Sequence, residues 1–137
     1  MTGRDLTLLL VLSLPLAACG GPASYQASGT NVAAGADATI EVEELDGNAF
    51  VRLDATHLPP PQRLGEGLTV YVLWFESEGE PAEKVSVLDY DEEERSGSAR
   101  ASTMQENILI MVTAERSPAV ATPSEHLIFK KRVTIDQ

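Results

Sequence analysis

From Ile40 onward the apolar positions recur every second residue, not every third or fourth, and this spacing predicts strands. Ile40 and Val42 alternate with Thr39, Glu41 and Glu43. Asp46-Gly47 follows as a hairpin signal, because glycine takes a positive φ without steric cost, and Phe50 to Leu58 returns in extended form. Pro59-Pro60-Pro61 removes three backbone donors in a row and predicts a loop to about Gly67. Leu68 to Glu76 is apolar on both faces, with Val70, Val72 and Trp74 on one and Tyr71, Leu73 and Phe75 on the other, which predicts a central strand with Trp74 between the sheets. Val85 to Leu88 begins another strand, which the acidic run 89–94 is expected to end. Arg95 to Thr103 reads as a weaker edge strand of small residues, Asn107 to Glu115 as a buried strand, and His126 to Ile135 as the last one. No stretch carries a capped helical stripe.

About seven short strands with turn signals every ten residues or so predict an all-β fold. The expected form is a single antiparallel β-sandwich, immunoglobulin-like, over residues 38–137, because a sheet with one apolar face must cover it with a second layer. A small open barrel is the alternative.

Residues 1–18 have a different texture. Met1 to Asp5 is short and carries one arginine, Leu6 to Leu16 is largely apolar, and small residues follow, which is the anatomy of a signal peptide. The apolar run would span only about 16 Å as a helix, against a hydrocarbon core of about 30 Å, so it is too short for a permanent transmembrane span. Pro15 favours an extended stretch before the cut. Leu16-Ala17-Ala18-Cys19 then resembles the lipobox of bacterial lipoproteins, which implies a diacylglycerol on the Cys19 sulfur, acylation of the type that palmitate supplies, and a mature chain starting at Cys19. Cys19 is the only cysteine, so an internal disulfide is ruled out and modification is its expected role. Gly20 in place of Asp after the cysteine resembles the sorting pattern for the outer membrane over the inner one.

Gly20 to Asp37 is rich in Gly, Ala, Ser, Thr and Asn, so 19–37 reads as a lipidated cysteine followed by a flexible linker with a reach of roughly 23 Å. What remains has the size of one domain, and 43% hydrophobic and 23% charged residues are ordinary globular usage.

The formal net charge is −11, with 21 acids against 10 bases. Nucleic acid is therefore excluded as a partner class, since phosphate binding is driven by clustered Lys and Arg. Anionic headgroups are repelled too, so attachment to a membrane must come from the covalent lipid.

Leu58-Pro59-Pro60, Tyr71-Val72-Leu73-Trp74, Gly79, Val112-Thr113-Ala114-Glu115 and Ser117-Pro118 together resemble the C-terminal domain of anti-sigma-K factors, over roughly Ala38 to Val133. The resemblance implies an extracytoplasmic β-sandwich. The sigma-binding helical domain and transmembrane helix of that family have no counterpart in this sequence, so its regulatory activity is not implied.

Chemistry-bearing residues are few. His57 and His126 fall in the expected strands with no hydroxyl or acid at a motif spacing, and no nucleophile elbow, phosphate loop or dinucleotide fingerprint occurs, so no catalytic residue, cofactor or metal ligand is assigned and no enzyme is expected. A periplasmic hydrolase would need a cleft uniting a histidine with an acid and a hydroxyl. Asp89-Tyr90-Asp91-Glu92-Glu93-Glu94 has the carboxylate density that Ca²⁺ requires, but Glu94 stands at the sixth place, where an EF-hand loop needs glycine, and Arg100 at the twelfth, where it needs glutamate. A solvated turn that pairs loosely with Lys130-Lys131-Arg132 is the simpler expectation, and a Ca-dependent interaction module the alternative. The leading expectation is a non-catalytic, lipid-anchored module of the cell envelope. It would bind a protein or glycan through an apolar patch among the loops 59–67, 78–81 and 117–124.

Overall fold

The computed structural model describes residues 21–135 and the isolated Gly3. Two antiparallel sheets face each other around one core, and the all-β sandwich that the alternation predicts is the fold. Nine strands are described: β1 Ala23–Ser28, β2 Asp37–Leu45, β3 Asn48–Thr56, β4 Val70–Ser77, β5 Glu83–Val87, β6 Asp89–Asp91, β7 Ser96–Thr103, β8 Asn107–Glu115 and β9 Leu127–Thr134. The five-stranded sheet runs β1-β2-β3-β7-β6 and the four-stranded one β5-β4-β8-β9. With β1 set aside, these are the A-B-E-D and C′-C-F-G orders of immunoglobulin-like sandwiches.

Local chemistry explains the elements. Asp46 and Gly47 have φ of 53° and 79°, the paired positive values of a type I′ turn, and they join β2 to β3 with Leu45 opposite Asn48. In β2 and β3 the alternate residues Ala38, Ile40, Val42, Ala49, Val51, Leu53 and Ala55 are buried, while the residues between them are exposed or half-buried. Tyr71, Leu73 and Phe75 of β4 and Ile108, Ile110 and Val112 of β8 meet them from the other sheet.

Four sequence expectations are corrected. The stretch read as a flexible linker contains β1, which pairs with β2 from Ala23 opposite Val42 to Ser28 opposite Asp37, and a 3₁₀ turn at Asn31–Ala33. Its residues are small, so it has no apolar stripe to reveal it, yet Ala27 is buried, Tyr25 packs against the core, and Tyr25 Oη donates to the Thr134 carbonyl across to β9. Thr30 completes this seam: its N–H donates to the Ile128 carbonyl at 2.9 Å and its hydroxyl donates to the Leu127 carbonyl. Second, the acidic run is not only a terminator. Its first three residues form β6, the chain having crossed from one sheet to the other at the buried Leu88.

Third, β7 is not a sheet edge along its whole length, since β3 pairs with Ala49-facing Thr103 back to Gly97 and β6 covers Ser96 to Ser98 on the other side. Fourth, Trp74 does not lie between the sheets. It belongs with Val72, Leu109 and Met111 to a smaller apolar cluster on the outer face of the four-stranded sheet, which Val120 of the 116–126 loop helps cover. The apolar residues of β4 occupy both faces, so their period alone cannot tell which face is internal.

Candidate functional site

Cys19, the expected lipid-attachment residue, and the signal peptide lie outside the described residues. Among the described residues no helix is long and apolar enough to cross a membrane.

The most developed polar arrangement lies at the end of the sandwich formed by the loops 29–36, 57–69, 92–95 and 116–126. Trp74 Nε1 donates to Thr113 Oγ1 at 2.8 Å, Thr113 Oγ1 donates to Glu115 Oε2 at 2.5 Å, and the Ser124 N–H donates to the same carboxylate oxygen at 2.9 Å. Thr113 and Glu115 are buried, so each link replaces a water contact that the fold has removed. Ser124 Oγ donates to the Ala114 carbonyl at 2.9 Å and accepts from the His126 N–H. From the other side Lys84 Nζ donates to the Pro118 carbonyl at 2.5 Å. These contacts hold the 116–126 loop down over Trp74.

His126, Ser124 and Glu115 also line a cleft of about 390 Å³, which brings a histidine, a hydroxyl and an acid together. Their roles are not those of a hydrolytic triad. His126 Nδ1 stands 3.4 Å from Ser124 Oγ, whose proton is directed to the nearer Ala114 carbonyl, and the carboxylate contacts Thr113 and Ser124, with no bond to the imidazole. His126 Nε2 would lie 3.1 Å from a Cβ placed on Gly65, so the ring fills the space that this glycine leaves. His57 follows β3 with a φ of 54° and an exposed side chain, 3.8 Å from Asp37 Oδ2.

The tyrosines fasten the neighbouring 57–69 loop. Tyr71 Oη donates to the Pro59 carbonyl and Tyr90 Oη to the Leu58 carbonyl at 2.7 Å, with the two rings edge to face at 5.4 Å. Burial raises both phenol pKa values above the usual 10, and the Tyr90 ring also pushes Tyr71 up.

Within the acidic run, Asp91 Oδ1 accepts from the Glu93 and Glu94 N–H groups at 3.0 and 3.1 Å. The carboxylate closes the turn instead of pointing at a common centre, and among the described residues no three His, Cys, Asp or Glu side chains converge as metal ligands would. The expected loose pairing with Lys130-Lys131-Arg132 is not present. β6 and β9 lie at opposite sides of the sandwich, because β9 is stitched to β1 at the other edge of the five-stranded sheet.

The expected apolar patch is misplaced as well. Among the described residues the exposed large hydrophobics are Val32, Leu45, Phe50, Val87 and Met104, and none belongs to the loops 59–67, 78–81 or 117–124. Leu45 ends β2, Met104 follows β7 and Phe50 stands two places into β3, where sequence gives no sign that a large apolar side chain points outward except its place in the alternation. A broad opening of about 1200 Å³ lies beside them between the β4–β5 and β7–β8 turns, with Ala121 of the 116–126 loop also on its wall, and Glu78, Glu80, Glu83 and Glu106 make it acidic.

Comparison with known proteins gives no family model, no curated protein and no solved structure that matches this chain.

Proposed function

We propose that the chain is a non-catalytic, lipid-anchored module of the bacterial envelope, held through Cys19 and presenting a rigid β-sandwich to an envelope protein or glycan. The observation that carries this reading is the sequence Leu16-Ala17-Ala18-Cys19 at the end of an apolar run too short to span a bilayer, with its sole cysteine in last place. The fold supports it: β1 begins at Ala23, four residues after the cysteine, so a cut before Cys19 leaves every described strand intact. The resemblance to the C-terminal domain of anti-sigma-K factors belongs to the same reading, as an extracytoplasmic sandwich. Gly20 directs the proposal to the outer membrane where the source has two membranes.

The end formed by the 57–69 and 116–126 loops suits recognition, because the tyrosine pair and the Trp74–Thr113–Glu115–Ser124 chain order its backbone before any partner arrives. Fractionation of cells producing the wild type and Cys19→Ser tests the anchor: the wild type should sediment with membranes and need detergent for release, and the variant should appear in the soluble fraction or as uncleaved precursor. Equal distribution of the two would end the proposal.

A further inference from the structure

The position of β1 decides how such an anchor would hold the domain. Ala23 pairs with Val42, three residues before Leu45 ends β2, so the chain enters the sandwich at the end that carries the β2–β3, β4–β5 and β7–β8 turns. Only Gly20, Gly21 and Pro22 separate Cys19 from that strand. Four Cα–Cα steps cover at most about 14 Å, well below the roughly 23 Å that an eighteen-residue coil would allow. A lipid on Cys19 therefore keeps this end of the domain beside the headgroups.

The same end carries the most exposed apolar side chains. Met104 is 75% exposed, Leu45 57% and Phe50 48%. The register groups them: Leu45 is opposite Asn48, Ala49 is opposite Thr103, and Phe50 is opposite Ser102. Leu45 and Met104 thus flank Asn48 at the rim, and Phe50 stands one row further in, within the 5–10 Å to which interfacial apolar groups sink. Glu43, Glu44, Asp46, Glu78, Glu80 and Glu106 surround the corner, while the nearest cations are Arg52 and Arg100, opposite each other one row beyond Phe50 with Arg52 paired to Asp54, and Arg132 further along β9. That charge rejects an anionic lipid surface and fits a zwitterionic one.

We propose that the domain stands on a zwitterionic bilayer with this end down, Leu45, Phe50 and Met104 resting in the headgroup–acyl boundary, so that the 57–69 loop and the two ends of the 116–126 loop, where β8 finishes and β9 begins, face away from the membrane. The proposal rests on the lipidation of Cys19. It assigns the exposed corner to lipid and leaves the opposite end to the partner.

The test uses the full lipidated chain in phosphatidylcholine nanodiscs, with one fluorophore at a time on Leu45→Cys, Met104→Cys, His57→Cys or Gln62→Cys, and quenching by a lipid carrying a headgroup-depth spin label. Quenching at 45 and 104 should exceed that at 57 and 62 severalfold. It should fall when part of the lipid is phosphatidylglycerol at low salt, and fall again when ten Gly/Ser residues are inserted before Ala23. In a Leu45→Ser/Phe50→Ser/Met104→Ser chain labelled at Asn48→Cys, quenching should drop against the parent while the protein stays on the disc with an unchanged melting temperature. Equal quenching at the two ends, or stronger quenching at 57 and 62, would overturn the orientation and leave the anchor standing. A chain that is unmodified at Cys19 and does not bind the discs would overturn both.

Discussion

At the residue scale, the buried carboxylate of Glu115 is the fulcrum of the 116–126 loop, since one oxygen serves both the Thr113 hydroxyl and the Ser124 amide. Glu115→Ala leaves the buried Thr113 hydroxyl and the partly buried Ser124 amide without this acceptor, at about 1–3 kcal/mol for a group fully cut off from water, and we expect a loss of about 2–4 kcal/mol in urea unfolding together with faster proteolysis in 116–126. Unchanged stability would show that the oxygen is not needed there. The phenols give a pH signature. Their raised pKa values mean that the folded state holds protons which the unfolded chain releases above pH 10, so the stability they contribute is fully present below pH 10 and is lost as pH rises beyond it. The slope is at most about 1.4 kcal/mol per pH unit for each tyrosine. Tyr71→Phe should be less stable near neutrality, having lost the bond to the Pro59 carbonyl, and should fall less steeply between pH 10 and 11.5 in chemical denaturation.

At the element scale, β1 separates an ordered entry into the domain from a free tether. Hydrogen exchange should find the Tyr25 to Ser28 segment slowed well beyond the rate of an open chain, and full exchange within the first time point would contradict the pairing with β2. Gly29→Ala offers a second check, because a Cβ there would lie 2.1 Å from the Ala33 carbonyl oxygen; the backbone must shift, and a loss of about 1–3 kcal/mol in thermal unfolding is expected. These elements also mark how far sequence reached. The β2–β3 hairpin was legible because Asp46-Gly47 and strict alternation point to the same turn, and β8 because a run of apolar, β-branched residues leaves little else. β1 was not legible, since its inward positions, Ala23, Tyr25 and Ala27, bury too little apolar surface to leave a clear period. β6 was hidden by its own carboxylates, whose charge says turn although three of the residues pair with β7. Trp74 was placed on the wrong face because its partner, Thr113, and its cover, Val120, are distant in the chain. The polar chain beneath 116–126 was invisible for the same reason.

At the scale of the whole molecule, the sandwich has one stitched side and one open side. Tyr25 and Thr30 tie β1 and the segment after it to β9, and β9 itself carries Lys131 opposite the core residue Ile110, a half-buried charge on an edge strand that discourages pairing with another chain. On the other side, the broad acidic cleft remains between the β4–β5 and β7–β8 turns. The two ends differ as well, one fastened by buried polar contacts and the other bearing exposed Leu45, Phe50 and Met104 next to the point where the chain enters. The proposed lipid on Cys19 would give that difference a direction, with the 57–69 loop outward and the apolar corner down.

The account stands on the covalent lipid at Cys19, and the measurement closest to it is the intact mass of the protein extracted from membranes, with fragmentation of its N-terminal peptide. The predicted result is a chain that begins at Cys19 and carries a diacylglycerol, with or without a further acyl chain on its amine, all of it localised to residue 19. A membrane-derived chain whose Cys19 has a free thiol, or which still begins at Met1 with no adduct, would contradict it.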